Sequence, residues 1–341
     1  MPDQERFPPA ATSAELTQKQ KSKSMTQSNS TWKNRLGPST SALAVLLLFG
    51  GLFISNVPTR SEGLELAMEP AMHGVIAQNN APEVPMKNDL AGEPVPMNSF
   101  GVREHFDREL VVNTYRHSST MLYFKRAARW FPLIEPILDA HGLPDDFKYL
   151  AIIESGLSQA VSPAGAAGFW QFMKATAPSY GLKVNGQVDE RYHVEKATHA
   201  ACQYLLEARE EFGSWALAAA SYNMGRAGVR KALKSQGVES YWDLHLNEET
   251  ARYVYRLLAV KAIFEEPENF GFYIQPEALY APHEGRTLWR KQSIGSLAAF
   301  ALEEGANLKT LKALNPWLRS DRLSIAEGDS IGIMLPPHRF D

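Results

Sequence analysis

Hydrophobic positions recur at helical spacing through most of the chain between Val102 and Phe270. Apolar residues three and four apart share one face of an α-helix, whereas strands alternate at every second residue, and such alternation is scarce here. The segments with helical spacing are REHFDRELVVNTY, SSTMLYFKRAARWFPLIEPILDAHG, LPDDFKYLAIIESG, VEKATHAACQYLLEAREEFG, SWALAAASYNMG and NEETARYVYRLLAVKAIFE. We therefore predict a mainly α-helical domain over residues 98–272.

Proline and cap residues predict where several of these helices begin and end. Pro132 and Pro136 lie inside the second segment and should interrupt its helix, because proline lacks the backbone N–H. Gly142 should close the same segment, as glycine often does after a helix. Asn247 precedes the last segment and is a plausible N-cap.

The pattern changes after Pro282. TLWRKQSI and DSIGIMLP have the texture of strands, and they flank SLAAFALEEGANLKTLKALNPWL, which fits two short helices. The order strand, helix, helix, strand predicts a separate small βααβ module over residues 283–337.

The N-terminal 97 residues lack this helical pattern. Residues 1–40 are polar, which predicts disorder in a cytoplasmic or leader segment. Residues 41–57 form an uncharged, mostly apolar run after a basic flank, the layout of a signal sequence or an uncleaved membrane anchor. We expect export to the periplasm or cell envelope. Six prolines between residues 58 and 97 predict an extended linker.

One carboxylate stands on an apolar helical face. At 100° per residue, Glu154 falls within the stripe formed by Phe147, Leu150, Ala151 and Leu157. Burial disfavours the charged form of a carboxyl, so the pKa of Glu154 should rise, as a general acid requires. A structural glutamate bonded to the backbone or to an arginine fits the same pattern, so both interpretations stay open.

Three other stretches carry polar side chains that suit a polyhydroxyl ligand. SPAGAAGFWQF contains Ser162 and Gln171 around a run of small residues, and AAASYNMG places Tyr222 and Asn223 at the end of an alanine-rich helix. EETARYVYRLLA carries Tyr253 on the last long helix. Ordinary helix packing explains the first two stretches equally well, and it explains most of the third stretch better than a ligand site does.

Composition excludes several other functions. A net charge of −3 gives no indication of nucleic-acid binding, and the single cysteine, Cys202, rules out disulfides within the chain. No H-E-x-x-H pattern occurs, and His193 and His199 would lie on opposite faces of a helix. We expect no metal site and no cofactor.

Taken in order, four motifs resemble the signatures of the family 1 lytic transglycosylases, which carry an SLT domain, and above all those of the family's D-type branch. The motifs are Glu154-Ser155, Gly168-Phe169-Trp170-Gln171, Tyr222-Asn223, and Glu249-Thr250 with Tyr253-Val254. The likeness runs from about residue 143 to residue 270. The family often has Gly-Leu-Met-Gln and Ala-Tyr-Asn where this chain has Phe169, Trp170 and Ser221.

The resemblance implies a goose-type, lysozyme-like fold and a lyase that acts on peptidoglycan glycan strands. It implies that Glu154 protonates the oxygen between N-acetylmuramic acid and N-acetylglucosamine. The resulting carboxylate would then take the proton of the muramic acid 6-hydroxyl, which closes a 1,6-anhydro ring. A hydrolytic muramidase and a non-catalytic cell-wall-binding protein remain as alternatives.

The resemblance also implies roles for the surrounding residues. Ser162 and Gln171 would contact the sugar, and Tyr222 and Asn223 would shape the cleft. Tyr253 would hydrogen-bond to the neutral acid and help keep it protonated. The C-terminal segment resembles a divergent LysM domain, which implies glycan binding; a small stabilising domain docked on the helices is the alternative. The N-terminal run would supply a membrane contact if it is not cleaved.

Overall fold

The computed structural model describes residues 81–337 of the 341-residue chain. The segments predicted as a disordered leader (1–40) and as a signal sequence or anchor (41–57) lie outside the described residues. Within residues 81–337, no helix combines the length and the apolar character needed to cross a bilayer.

The described chain is mainly α-helical, and a small βααβ module follows the helices, so both features of the predicted fold class are confirmed. The helical domain is preceded by an antiparallel hairpin of β1 (Asp89–Leu90) and β2 (Glu93–Pro94). Its helices are α1 (Val102–Tyr115), α2 (His117–Ala140), α3 (Lys148–Ser155), α4 (Val194–Phe212), α5 (Trp215–Met224), α6 (Arg226–Gln236) and α7 (Glu248–Glu265). The module comprises β3 (Arg286–Arg290), α8 (Leu297–Glu303), α9 (Leu308–Leu314) and β4 (Ile331–Leu335), with β3 and β4 antiparallel.

Helix α7 packs against α1, α3 and α5. Val254, Leu257 and Leu258 are completely buried, as expected of a helix with neighbours on several sides. The helix begins after Asn247, whose side-chain oxygen accepts a hydrogen bond from the Thr250 backbone N–H at 3.0 Å. Because α7 contacts three other helices, its register fixes which of its polar side chains reach each surface of the domain.

Helices α4 and α5 pack together through small side chains. The fully buried alanines of this pair are Ala197, Ala201, Ala208, Ala218, Ala219 and Ala220. Cys202 of α4 is also completely buried, and this burial raises the pKa of its thiol to about 12. Such close packing leaves the C-terminal end of α5 as the part of that helix that presents polar side chains.

Helix α2 continues through both of its prolines, which differs from the predicted interruption. Each proline removes one hydrogen bond of the helix, to the carbonyl group four residues earlier. Pro132 and Pro136 are four residues apart and both are exposed, so the freed carbonyl groups lie towards solvent. Water can satisfy these acceptors, and the buried opposite face, which includes Phe131 and Ile134, holds the helix in place.

The described part of the predicted linker, residues 81–97, packs on the helical domain instead of extending away from it. Leu90, Val95 and Met97 are buried, so the hairpin covers apolar surface. Lys261 of α7 is almost completely buried and donates hydrogen bonds to the Asp89 carbonyl and carboxyl oxygens, both at 3.1 Å. It also donates to Asp146 Oδ2 at 2.8 Å. Proline content predicted an extended linker. In the structure, the three buried apolar side chains and the ion pairs of Lys261 hold residues 81–97 against the helical domain.

The C-terminal module has its own apolar cluster, which includes Leu297, Phe300, Leu311, Trp317 and Ile333. Residues Ala167, Val188 and Tyr192 of the helical domain belong to the same cluster. The two parts therefore share buried apolar surface.

We expect Lys261→Met to lower the free energy of unfolding by about 2–3 kcal/mol, because it leaves the carboxylate of Asp146 without its buried partner. The exposure of Asp89 keeps the effect below that of a fully buried pair. Urea unfolding of the full chain measures it. Lys231→Met, at an exposed position of α6, is the matched control and should change stability by less than about 0.5 kcal/mol. Equal losses in the two variants would contradict the assigned role of Lys261.

Candidate active site

A short helix with a fixed end positions Glu154. Helix α3 ends at Gly156, which has a left-handed φ of 60°. A Cβ at this position would lie 2.8 Å from Tyr123 Cε1, and the Gly156 carbonyl accepts a hydrogen bond from Arg126 at 2.9 Å. Leu157 lies beyond the helix, also at positive φ, so the apolar stripe predicted through it ends earlier. Glu154 therefore occupies the last turn of a helix whose end is held by α2.

Glu154 is crowded by protein atoms, but part of its surface stays exposed. Burial raises the pKa of its carboxyl to about 7. The Tyr253 hydroxyl and the positive charge of Arg256 oppose this rise, and the negative charge of Glu249 adds to it. Arg256 donates to the Ile153 carbonyl at 2.9 Å, and none of the ion pairs among the described residues includes Glu154. A carboxyl with this pKa can both donate and accept a proton near neutral pH.

The Tyr253 hydroxyl donates a hydrogen bond to Glu154 Oε1. Burial raises the pKa of Tyr253 well above its ordinary value, so the hydroxyl keeps its proton as a donor. A donor favours the charged form of a carboxyl, so this bond lowers the pKa of Glu154. The effect of Tyr253 on this pKa is therefore opposite to the expectation from the sequence, in which the hydroxyl bonds to the neutral acid and helps keep it protonated. Burial, not Tyr253, raises the pKa of Glu154.

Residues 160–172, in the stretch between α3 and α4, form a tightly folded loop that carries Ser162 and Gln171. Gln171 has a left-handed φ of 48°, and its side-chain nitrogen donates to the carbonyl groups of Ala160 at 3.1 Å and Gly168 at 2.7 Å. The Ser162 hydroxyl oxygen accepts from the Ala166 N–H at 3.0 Å. Both predicted side chains are only partly buried. Both also brace the loop from inside, a role that the sequence analysis did not assign to them.

Tyr222 lies beside Glu154 and contacts the same loop. Its hydroxyl donates to the Trp170 carbonyl at 2.8 Å. Burial raises the pKa of Tyr222, and the negative charge of Glu154 raises it further, which places the two side chains close together. The Trp170 indole is itself completely buried and donates to Thr198 of α4 at 2.9 Å. The loop is therefore held from both sides, next to the carboxyl.

Asn223 connects the end of α5 to the start of α7. Its amide nitrogen donates to Glu249 Oε1 at 3.1 Å, and its amide oxygen accepts from the Thr250 hydroxyl at 2.7 Å. Glu249 is exposed and close enough to raise the pKa of Glu154. Asn223 thus acts on the site through Glu249, a neighbour that the motif contained but the sequence analysis gave no role.

The acidic residues that precede α3 and α4 are engaged in ion pairs of their own. Their ion pairs are Asp145 with Lys148 at 2.5 Å, Asp146 with Lys261 at 2.8 Å, Asp189 with Arg191 at 2.7 Å and Glu190 with Lys196 at 2.5 Å. Glu249 is the carboxylate that changes the pKa of Glu154. The geometry therefore presents one carboxyl poised for proton transfer, with a second, exposed carboxylate in its neighbourhood.

The chain matches two domain families. Residues 134–245 match the transglycosylase SLT domain, and residues 288–339 match the soluble lytic transglycosylase C-terminal LysM-like domain. These two parts of the chain are therefore similar to an SLT domain and to a LysM-like domain, and the resemblance predicted from the sequence motifs is confirmed.

The chain is also similar to two curated proteins called membrane-bound lytic murein transglycosylase D, from Escherichia coli K12 and Escherichia coli O6:H1. Each is 30% identical over 248 residues, which is 70% of this chain and 52% of the relative. The chain thus spans about half the length of the curated relatives it matches.

Gly168 and Gly165 allow a test of how tightly the loop is packed. Both have positive φ, but a Cβ on Gly168 would lie 1.9 Å from the Arg191 carbonyl oxygen, whereas a Cβ on Gly165 meets nothing within 4 Å. We expect Gly165→Ala to cost about 1 kcal/mol from backbone strain alone. Gly168→Ala should cost about 3 kcal/mol or more, because backbone atoms must move. Similar unfolding midpoints for the two variants in urea would contradict the close approach.

Removal of the Tyr253 hydroxyl should raise the pKa of Glu154 above about 7, by about one pKa unit, because the carboxylate loses a donor. Carbon-13 NMR of the glutamate carboxyl groups measures this in Tyr253→Phe. Tyr255→Phe, two residues along the same helix, should leave the titration of Glu154 unchanged. A lower pKa in Tyr253→Phe would restore the sign expected from the sequence.

Proposed function

We propose that this chain is a peptidoglycan lytic transglycosylase, in which Glu154 acts first as the acid and then as the base. The observation that carries the proposal is a partly exposed carboxyl, with its pKa raised to about 7, inside an SLT domain. The similarity to relatives named lytic murein transglycosylase supports the substrate class.

In the first step, the protonated Glu154 donates its proton to the oxygen that joins N-acetylmuramic acid to N-acetylglucosamine. The bond from the muramic acid anomeric carbon to that oxygen breaks, and positive charge develops on the sugar ring. Glu154 is then a carboxylate, and the Tyr253 hydroxyl donates to it. Tyr253 therefore stabilises the state that follows proton donation.

In the second step, the carboxylate takes the proton of the 6-hydroxyl on the same muramic acid residue. The 6-oxygen bonds to the anomeric carbon, which closes a 1,6-anhydro ring and leaves Glu154 protonated again. No water is consumed. Since the nucleophile belongs to the substrate, proximity replaces activation of a water molecule, and a single carboxyl is sufficient. Most glycosidases that add water use two carboxyl groups at set separations.

The neighbouring side chains keep groups available for the sugar. Gln171 uses its amide nitrogen within the loop, which leaves its amide oxygen as an acceptor for a sugar hydroxyl or acetamido N–H. Ser162 accepts a backbone N–H, which leaves its own proton for donation. Tyr222 and Asn223 act by holding the loop and Glu249 beside the acid.

We also assign the LysM-like module to binding of the same polymer, on the strength of its family match. The relatives are named as membrane-bound proteins of murein metabolism. Together with the apolar run at residues 41–57, this favours an exported protein that works at the cell envelope, either secreted into the periplasm or held at the membrane.

A hydrolytic muramidase is the second candidate, and Glu249 is the observation that favours it. Glu249 is exposed and close enough to influence the pKa of Glu154, so it is a possible base for a water molecule. The products of the two reactions differ: hydrolysis adds one water at the new end, and transglycosylation adds none.

We expect the chain to release fragments with 1,6-anhydromuramic ends from purified glycan strands. Mass spectrometry should find these fragments lighter than the hydrolytic products by one water, and free of label in heavy-oxygen water. Labelled reducing ends would instead establish the muramidase.

Glu154→Gln should lower turnover at least about a thousandfold, because the amide has no proton to give at neutral pH. Binding to insoluble peptidoglycan should persist. Glu195→Gln, at an exposed position of α4, is the control and should keep wild-type turnover. Retained cleavage by Glu154→Gln would remove this residue from its role, and absence of cleavage by the wild-type chain would favour a non-catalytic wall-binding protein.

A further inference from the structure

The C-terminal module contacts the helical domain along residues 187–189, directly before α4. Val188 forms an isolated antiparallel bridge with Leu318 of the module. The Asp189 N–H donates to the Trp317 carbonyl at 2.9 Å, and the Arg319 N–H donates to the Gln187 carbonyl at 2.8 Å. This backbone pairing requires the module to hold one orientation relative to residues 187–189.

Side chains strengthen the same junction. The Gln187 amide oxygen accepts from the Ser324 N–H at 2.7 Å, and its nitrogen donates to the Ser324 hydroxyl at 3.2 Å. The Arg319 guanidinium lies over the Tyr192 ring, 4.4 Å from its centre. Ala167, from the loop that carries Gln171, is buried in the apolar cluster of the module. The contact therefore reaches the loop as well as residues 187–192.

Residues 187–192, which contact the module, contain a buried ion pair between Asp189 and Arg191. The guanidinium donates to both carboxylate oxygens, from Nε at 2.9 Å and from Nη2 at 2.7 Å. Its remaining nitrogen, Nη1, donates to the carbonyl groups of Gly165 at 2.9 Å and Phe172 at 3.1 Å. Because the planar guanidinium has a fixed fork of donors, the carboxylate sets the direction in which Nη1 points.

The carbonyl groups that accept from Arg191 belong to Gly165 and Phe172, which precede and follow Gln171 in the sequence. The Arg191 carbonyl oxygen also packs against Gly168, where a Cβ would not fit. On the opposite side the loop is held through Trp170, whose carbonyl accepts the hydroxyl of Tyr222 beside Glu154. A continuous series of contacts thus joins the module to the surroundings of the carboxyl.

We propose that the C-terminal module positions the active-site loop, through residues 187–189 and the Asp189–Arg191 pair. Asp189 and Arg191 are positioning residues, which touch neither the substrate nor Glu154 and set where Gln171 and Ser162 lie. This role is independent of any binding of glycan by the module. Its catalytic consequence rests on the function proposed above, whereas its effect on the loop does not.

The first test loosens the junction without disturbing buried groups. The double variant Gln187→Ala/Arg319→Ala removes the hydrogen bonds between Gln187 and Ser324 and the contact of Arg319 with the Tyr192 ring. Its matched control is Gln236→Ala/Arg322→Ala, which removes a glutamine bonded to the backbone of His245 at 2.9 and 2.8 Å, together with an exposed arginine of the module. Hydrogen exchange of the full chain, read by mass spectrometry on peptides covering residues 160–172, should be at least about fivefold faster in the first variant alone.

The second test replaces the positioning side chain. Arg191→Lys keeps the positive charge but cannot bond two carboxylate oxygens and two carbonyl groups at once. Exchange in residues 160–172 should rise, and kcat/KM on short soluble glycan fragments should fall at least about tenfold. The pKa of Glu154 should remain near about 7 by carbon-13 NMR, because Arg191 does not contact it.

The outcomes separate this inference from the proposed function. The inference is overturned if hydrogen exchange in residues 160–172 stays at the wild-type rate in both Gln187→Ala/Arg319→Ala and Arg191→Lys, whatever the activity. Faster exchange in both variants supports it even if the wild-type chain cleaves no glycan, and in that case only the proposed function fails. Faster exchange with unchanged kcat/KM overturns the catalytic part, because the loop would then move without consequence.

Discussion

The partial burial of Glu154 is the constraint on which the site depends. Loss of hydration disfavours the carboxylate, and the Tyr253 hydroxyl favours it, so two opposing effects bring the pKa to about 7. Full exposure would return the carboxyl to its ordinary acidity, and additional donors would keep it ionised. The balance requires α3 and α7 to meet in a fixed register, and the buried apolar side of α7 supplies that register.

Arg256 and Glu249 change this pKa in opposite directions, whereas several other charged side chains among the described residues are engaged in ion pairs of their own. Lys261, Arg191 and Lys148 each hold a carboxylate in an ion pair that does not include Glu154. Pairs in which at least one charge is buried contribute little net stability but set geometry, because the buried charge requires its partner in place. In this chain the pairs hold the N-terminal hairpin, the loop before α4 and the start of α3. The scaffold around the acid therefore depends on ionic contacts as well as on apolar packing.

Local pattern predicted the helices and the place of Glu154 on an apolar helical face, because both depend on spacing along the chain. Glu154 was recognisable as a carboxyl on an apolar face, and the four motifs were found in order. Contacts between distant segments could not be predicted from local spacing. Two examples are the burial of Leu90, Val95 and Met97 on the helical domain, and the hydrogen bonds from Arg191 to carbonyl groups of the loop. An arginine two residues after an aspartate indicates nothing by itself. Whether Tyr253 raises or lowers the pKa of Glu154 depends on which group donates in their hydrogen bond. Spacing along the chain does not reveal this direction.

The burial of Cys202 determines how this sulfhydryl would behave in an oxidising compartment. With its pKa raised to about 12 and no exposed surface, it yields almost no thiolate and offers no path to an oxidant while the chain is folded. The folded protein is thus protected from mixed disulfides and sulfenic acid in an oxidising compartment. An unfolded chain loses that protection, so oxidation there would mark and trap molecules that have failed to fold.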